Sequence, residues 1–556
     1  MRPRRIFIAG VVVFALSTFP GLILGQLQQE TVNAEAMAKI REEGLQRSKV
    51  METASYLTDV FGPRLTNSPN IKAAAQWTMK KMTEWGLDNV ALETWGPFGR
   101  GWSNERTYAT MLKPYPFPLI MYARAWTPGT NGTVKGDVAL ALFNTAEDLE
   151  DCRGKLRGKF VIYAAASNLP AQFRSPASRY TDEQLQSMAN PPERGRGGGQ
   201  GGGRGDNQPP APARLPGQLC GGTWPAPQVG RGQQQQQDEF LAQRNRFLID
   251  EGIFALITPG QPGGTVGGGT VFVQSGARPG LKDPPAPTML SLAAEHYGIL
   301  IRNLEKNVPV TLEANIENKF YDDDLNSFNI VGEIRGSDKA DEVVMVGAHF
   351  DSWHTGTGAT DNAVGSAIMM EAMRILKATG LPLRRTVRIA LWTGEEQGLY
   401  GSEAYVRDHF AVRRTMELKP QHAKMSVYFN VDNGTGQIRG VYTEGNGAAR
   451  PVFEAWMQPF KDFGMTTLSP RGTGGTDHTN FDAVGIPGFQ FIQDDIEYDT
   501  RTHHSNMDVY ERLQPKDVMQ NAVIVASFVY NAANRDALFP RKPLPQPQGQ
   551  RGARGQ

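Results

Sequence analysis

VVMVGAHFDSWHTGTGATDNAVG (residues 343–365) and RRTVRIALWTGEEQGLYGS (residues 384–402) decide how this chain folds. The apolar, β-branched runs 343–346 and 386–392 are too continuously hydrophobic for a sheet with one wet face. They mark buried strands of a largely parallel sheet. Between them, 363–379 (AVGSAIMMEAMRILKAT) places apolar residues at helical spacing and predicts a crossover helix. Each strand runs out into side chains that bind metals: His349 and Asp351 after the first, Glu395 and Glu396 after the second, with Asp361 ahead of the helix. Ligands of open α/β sheets gather at the carboxyl ends of strands, so these groups are expected to meet in one cleft.

The same alternation continues downstream. MSVYFNVDNG (425–434) reads as a strand ending near Asp432, followed by a helix over 448–463 and a strand in IPGFQFI (486–492). The loop DDIEYDTRTHHSNMD (494–508) then carries His503 and His504 into an apolar helix at 515–533. Repeated βα units predict an α/β fold, a mixed, mostly parallel sheet covered by helices on both faces, over residues 317–534. Residues 26–106 read as a helical N-terminal part of the same domain, with helical patterns at 34–61 and 70–87. Residues 107–316 break into short β-rich pieces separated by Gly and Pro, the pattern of a small inserted β-rich domain. Low-complexity sequence at 190–238 and in the tail 535–556 is too polar and Gly/Pro-rich to bury a core and is expected to be disordered.

A chain of 556 residues exceeds what one core usually spans, and 40% hydrophobic content suffices for a normal interior. Lys+Arg (58) balance Asp+Glu (57), which excludes a general attraction to nucleic acid or anionic membranes. Residues 1–25 have a basic start, an apolar run and a small residue at the end, the layout of a signal peptide; a retained membrane anchor is the competing reading. The expectation is an exported protein, periplasmic or secreted, with no stable membrane insertion after cleavage. Cys152 and Cys220 form an even pair, which permits one disulfide in such a compartment.

His349 is followed by Asp351, near enough in sequence to accept the imidazole's other N–H and fix its tautomer. His504 precedes Ser505 and Asp508, and with Asp361, Glu396 and Asp432 it makes a set of two imidazoles and three carboxylates. Such a nitrogen and oxygen set suits a pair of Zn²⁺ ions. Five side chains under-supply two ions unless one carboxylate bridges, and Asp361 at its Gly-flanked turn is the natural bridge. Capping the following helix is the plainer role for Asp361. Glu395 and Glu396 leave a strand in different directions, so one can bind metal while the other acts as general base.

HFDSWHTGTGATDNAVG, LWTGEEQGLYGS, NVDNGTG, GGTDHTNF and HHSNMD together resemble the co-catalytic di-zinc exopeptidases, the family of bacterial aminopeptidases and plasma carboxypeptidases. The resemblance implies that the β-rich piece is a protease-associated domain. It also implies two Zn²⁺ per chain: His349 and Asp432 on one, Glu396 and His504 on the other, with Asp361 shared. Glu395 takes the position of the base that activates a water held between the ions, and Asp351 that of a supporting carboxylate. His504 is chosen over its neighbour His503 because the family's ligand directly precedes Ser or Thr, with an acid four positions on. His354 and His478 receive no ligand role.

The implied substrate is a dipeptide or short peptide cleaved from an end, with a strict aminopeptidase as the alternative to a carboxypeptidase or dipeptidase. The loop 471–477 and the acidic run 494–498 are candidate walls of the substrate site. The protease-associated piece is a candidate gate or dimerisation surface, so a homodimer is among the expected assemblies. A one-zinc acyl-transfer relative and a metal-free scaffold or receptor on the same fold are the rival readings. A scaffold would be expected to have lost ligands, and none is missing here.

Overall fold

The computed structural model describes residues 30–167, 169–192, 213–224, 234–260 and 267–547. The proposed signal segment lies outside these residues. Among the described residues no helix is long and apolar enough to cross a membrane.

Eight strands form the first sheet, in the order Asp88–Trp95, Ser327–Ile334, Arg385–Trp392, Lys339–His349, Met425–Asn430, Gly488–Gln493, Ile438–Tyr442 and Thr467–Ser469. Its four central strands run parallel, and antiparallel strands flank them. Alternation along the central strands sends side chains to two separate interiors. Val344, Val346, Val387, Ile389, Val427 and Phe429 pack under helices Ala34–Gln46, Val364–Thr379 and Pro515–Asn534. Met345, Ala390, Trp392 and Tyr428 pack on the other face, against Tyr405 and Phe481 of helices Tyr400–His409 and His478–Asp482. The expected α/β layering is therefore present.

The crossover helix Val364–Thr379 is buried on nearly all sides and carries two charges inside. Arg374 pairs there with Glu371 at 2.8 Å and with Glu43 of the first helix at 2.7 Å. Charges enter an interior only when paired in this way. Strand Asp88–Trp95 lies in the segment read as helical. It is mostly exposed along its length, so it carries no apolar run to announce it.

A second sheet holds strands Phe117–Pro118, Gly101–Lys113, Thr311–Tyr321, Thr133–Leu142, Phe160–Ile162, Ala255–Gly260, Met289–Ala293 and Met121–Ala123, in that order. It has its own interior, including Leu140, Phe160, Ile257, Leu290 and Leu312. Part of the stretch expected to be disordered belongs to it: Gln218–Gly221 pairs with Thr133–Leu142, and a helix begins at Gln234. The rest of that stretch, 193–212 and 225–233, lies outside the described residues.

Cys220 of this short strand is bonded to Cys152, 68 residues away in sequence, among Leu149, Phe247 and Leu256. Closing a loop of that length restricts the unfolded chain by about 4 kcal/mol. Replacing both cysteines by serine is expected to lower this lobe's unfolding free energy by about that amount, read by urea unfolding of the two proteins.

The tail expectation is corrected over 535–547. Phe539 is buried against Phe453, Trp456 and Phe489, and the Arg541 guanidinium donates to the carbonyls of His422 and Met425. One aromatic anchor offsets the Pro-rich composition that follows it.

Candidate metal centre

The central parallel strands all end on the same edge of the sheet, and each delivers a polar group there. His349 is the last residue of Lys339–His349, Glu395 and Glu396 follow Arg385–Trp392, and Asp432 follows Met425–Asn430. His503 and His504 arrive on the long loop after Gly488–Gln493.

Asp361 stands in the middle. Its Oδ1 lies 3.1 Å from His349 Nε2 and its Oδ2 lies 3.3 Å from His504 Nε2. His349 Nε2 is also 3.2 Å from Asp432 Oδ1, and His504 Nε2 is 2.8 Å from Glu396 Oε2. Glu395 Oε2 is 4.0 Å from His349 Nε2. All five expected ligands and the expected base thus meet in one buried cluster. His503 joins its edge, with Nε2 3.8 Å from Asp361 Oδ2 and its ring stacked between His504 and Tyr498.

The helix after Asp361 starts at Val364, and the amide of Gly365 donates to Asn362 Oδ1 at 3.0 Å. Asn362 therefore does the capping, which leaves the Asp361 carboxylate to face the histidines. Asp508 holds the backbone behind it, accepting the amides of Thr360 at 2.6 Å and Asp361 at 3.1 Å.

Asp351 acts differently from expectation. His349 Nδ1 hydrogen-bonds the backbone carbonyl of Asp351 at 3.0 Å, while the carboxylate stands 3.7 Å away. That carboxylate turns instead toward the neighbouring strand, accepting the amides of Glu395 and Glu396 at 3.3 Å each and the Thr66 hydroxyl at 2.9 Å. It sets the turn that separates the two glutamates.

Two residues of the N-terminal helical part support the site with no local motif to reveal them. One is Thr66. The other is Arg64, fully buried, whose guanidinium donates to the carbonyls of Phe350, Thr357 and Gly358 and so braces the loops before Asp351 and Asp361.

Electrostatics follow from burying so many acids together. Burial, then the charges of Asp432, Asp477 and nearby Glu396, pushes the Glu395 carboxyl well above its ordinary range, with His349 opposing. Glu396 is raised likewise by burial and by Asp361. Burial alone would lower His349, but Asp432 and Glu395 hold it well above its usual value. Asp361 goes the other way: burial would raise it, but the imidazoles of His349 and His504 hold it far below the carboxylate range.

Two acids of the run 494–498 are taken up in ion pairs. Asp494 is fully buried, paired with Arg179 at 2.9 Å and Arg439 at 3.1 Å, and Glu497 pairs with Arg501 and Arg512. These acids anchor the histidine loop. His354 is also structural: its Nε2 meets the Ala123 carbonyl at 2.7 Å and its ring packs on Trp102. His478 is buried beside Glu444, away from the cluster's contacts.

Comparison with known proteins matches this constellation to a family. Residues 329–529 match the model of Peptidase family M28. Carboxypeptidase Q of Pongo abelii is 26% identical over 511 residues, covering 91% of this chain and 90% of that protein. The fold is that of a Peptidase M28 precursor from Shewanella amazonensis SB2B, with a TM-score of 0.61, 22% identity, and coverage of 92% of this chain and 98% of that one. BSAP, a zinc aminopeptidase from Bacillus subtilis, aligns with a TM-score of 0.50 at 20% identity, over 88% of this chain and 97% of its own. With the motifs, the sheet and the edge cluster in agreement, the chain is a metallopeptidase, and its residues 329–529 match Peptidase family M28, in line with the zinc exopeptidases that its sequence resembles.

Proposed function

We propose that the chain removes terminal residues from dipeptides or short peptides, using two Zn²⁺ ions held at the sheet edge. The observation that carries this reading is Asp361, with one carboxylate oxygen toward His349 and the other toward His504. The cluster fits the ions on its own chemistry. Asp361 Oδ2 and Glu396 Oε1 are buried without a hydrogen-bond partner, and unsatisfied buried carboxylate oxygens are costly unless a cation completes them. The donors are imidazole nitrogens and carboxylate oxygens, the set zinc takes in hydrolytic sites. His349 and Asp432 would hold one ion, Glu396 and His504 the other, and Asp361 both.

Bound zinc supplies Lewis acidity, polarising a carbonyl and making water acidic near neutral pH. The chain's own residues do the rest. Glu395 accepts the proton of the attacking water at a carboxylate oxygen and then delivers it to the departing amine. Asp351 and Thr66 fix the turn so that Glu395 and Glu396 keep separate tasks. His503 stands as a neighbour at the edge of the cluster, with Nε2 3.8 Å from Asp361 Oδ2. The two names among the similar proteins, a carboxypeptidase and an aminopeptidase, leave both ends of a peptide as candidates, and a dipeptide presents both. The second-sheet lobe is read as a protease-associated domain, and its buried disulfide accords with export to an oxidising compartment.

A panel of free and terminally blocked dipeptides, assayed with and without chelator, tests the reading. Hydrolysis should stop on chelation and return with zinc; resistance of N-acetylated dipeptides would assign action at the amino end, and resistance of C-amidated ones action at the carboxyl end. Chelator-resistant hydrolysis would remove zinc from the reading, and cleavage only at internal bonds would remove exopeptidase action.

A further inference from the structure

We infer that parts of the chain that supply no ligand help to build the metal centre: residues 271–273 of the second-sheet lobe and the separate segment 176–180 clamp the loop that carries His504, and the Val273 amide sets that histidine's backbone. The inference rests on His504 being a metal ligand, as proposed above. His349, Asp361, Glu396 and Asp432 are all placed by the first sheet and its crossover helix. His504 is not, because it lies eleven residues beyond Gln493 on the loop that follows, and its φ of 58° is a left-handed conformation uncommon for a residue with a side chain.

Part of what holds it comes from the other lobe. Val273 donates its amide to the His504 carbonyl at 3.0 Å, and Phe272 pairs with Ser505. The Asn506 amide donates to the Val271 carbonyl at 3.1 Å, while its side-chain oxygen accepts the Val271 amide at 2.7 Å. Residues 271–273 and 504–506 thus form a short ladder between lobes. Its foot is fixed, since Val271 and Val273 are buried against Ala293 at the end of strand Met289–Ala293.

A second segment grips the loop's start. Ile496 donates its amide to Ser178 at 3.0 Å, and the Thr500 hydroxyl donates to Pro176 at 2.8 Å. Arg179 bridges two buried acids, Asp494 at 2.9 Å and Asp517 at 2.7 Å. The loop is therefore fastened at both ends to a part of the chain that contributes no ligand. The two ions would consequently be held unequally: the ligands His349 and Asp432 sit at the ends of first-sheet strands, whereas His504 draws on contacts from outside that sheet as well.

The test is metal content with hydrogen exchange over 498–508, measured on the full chain. Val273→Pro removes the amide donor, and Val273→Ala trims the side chain but keeps it. The proline variant should retain one ion at limiting zinc, bind the second about 10–100-fold more weakly, and exchange faster in the loop. Excess zinc should restore its second ion and its hydrolysis, whereas the alanine variant should hold both ions throughout. A packing role alone would instead injure the alanine variant. Asn506→Ala removes the neighbouring rung and should repeat the loss if the proline variant does not fold; wild-type zinc affinity in it would then overturn the clamp. His504→Ala separates the two ideas. Two tightly held ions in that variant overturn the ligand assignment, while one ion there with two in Val273→Pro overturns the clamp alone.

Discussion

Asp361→Ala is expected to empty both proposed metal positions of an otherwise folded protein. Each oxygen of this carboxylate faces a different histidine, at 3.1 and 3.3 Å, so its loss takes one donor from each ion at once. The remaining pairs, His349 with Asp432 and Glu396 with His504, would leave each ion two protein donors, below the three that hydrolytic zinc sites use. The fold should survive, because the backbone at this point is held by Asp508 on the amides of Thr360 and Asp361, and Asn362 caps the helix. Losing one of several crowded acids also relieves repulsion on Glu396, whose carboxyl Asp361 helps to raise. Elemental analysis beside thermal unfolding reads both halves of the expectation. One ion retained at wild-type affinity would show that Asp361 serves a single metal. That result would bring back the one-zinc acyl-transfer reading.

How much of this was legible in the sequence depended on whether a residue's role was local. Strands 343–346 and 386–392 showed themselves because both faces of the central sheet are covered, which demands continuous apolar side chains. The residues at their ends were legible as a set because each follows its own strand directly. Asp351 was found but its partner was mistaken: sequence proximity pointed to His349, whereas the carboxylate reaches across to the amides after the next strand. Arg64 and Thr66 could not have been found that way, since they meet the site from about 285 positions away. The edge strand Asp88–Trp95 has no buried face to imprint a pattern. The segments at 176–180 and 271–273 act on the histidine loop mainly through backbone groups, and backbone hydrogen bonding leaves almost no trace in residue identity.

Glu395→Gln is expected to keep both proposed ions and to lose about 10²–10⁴-fold in turnover, the share a general base contributes. The substitution preserves shape, and the turn it sits in is fixed by its backbone amide on Asp351, so Glu396 should stay where it is. What changes is the capacity to take up a proton. Burial among Asp432, Asp477 and Glu396 raises the affinity of the Glu395 carboxyl for one, which is the property a base needs if it is also to hand the proton on. Bound zinc would bring positive charge beside this carboxyl and oppose that rise. The variant should therefore also lose the acid limb of the wild-type rate profile, since no carboxylate remains to be protonated there. Glu396→Gln should behave in the opposite way, giving up the ion assigned to it and to His504, whose Nε2 lies 2.8 Å from Glu396 Oε2. Stopped assays with metal analysis on both variants distinguish the neighbours. Normal turnover in Glu395→Gln, or loss of metal from it, would assign the base elsewhere, and Asp477 would be the next buried acid to try: burial holds its carboxyl up at about 7, and it accepts from the Ser402 hydroxyl at 2.5 Å.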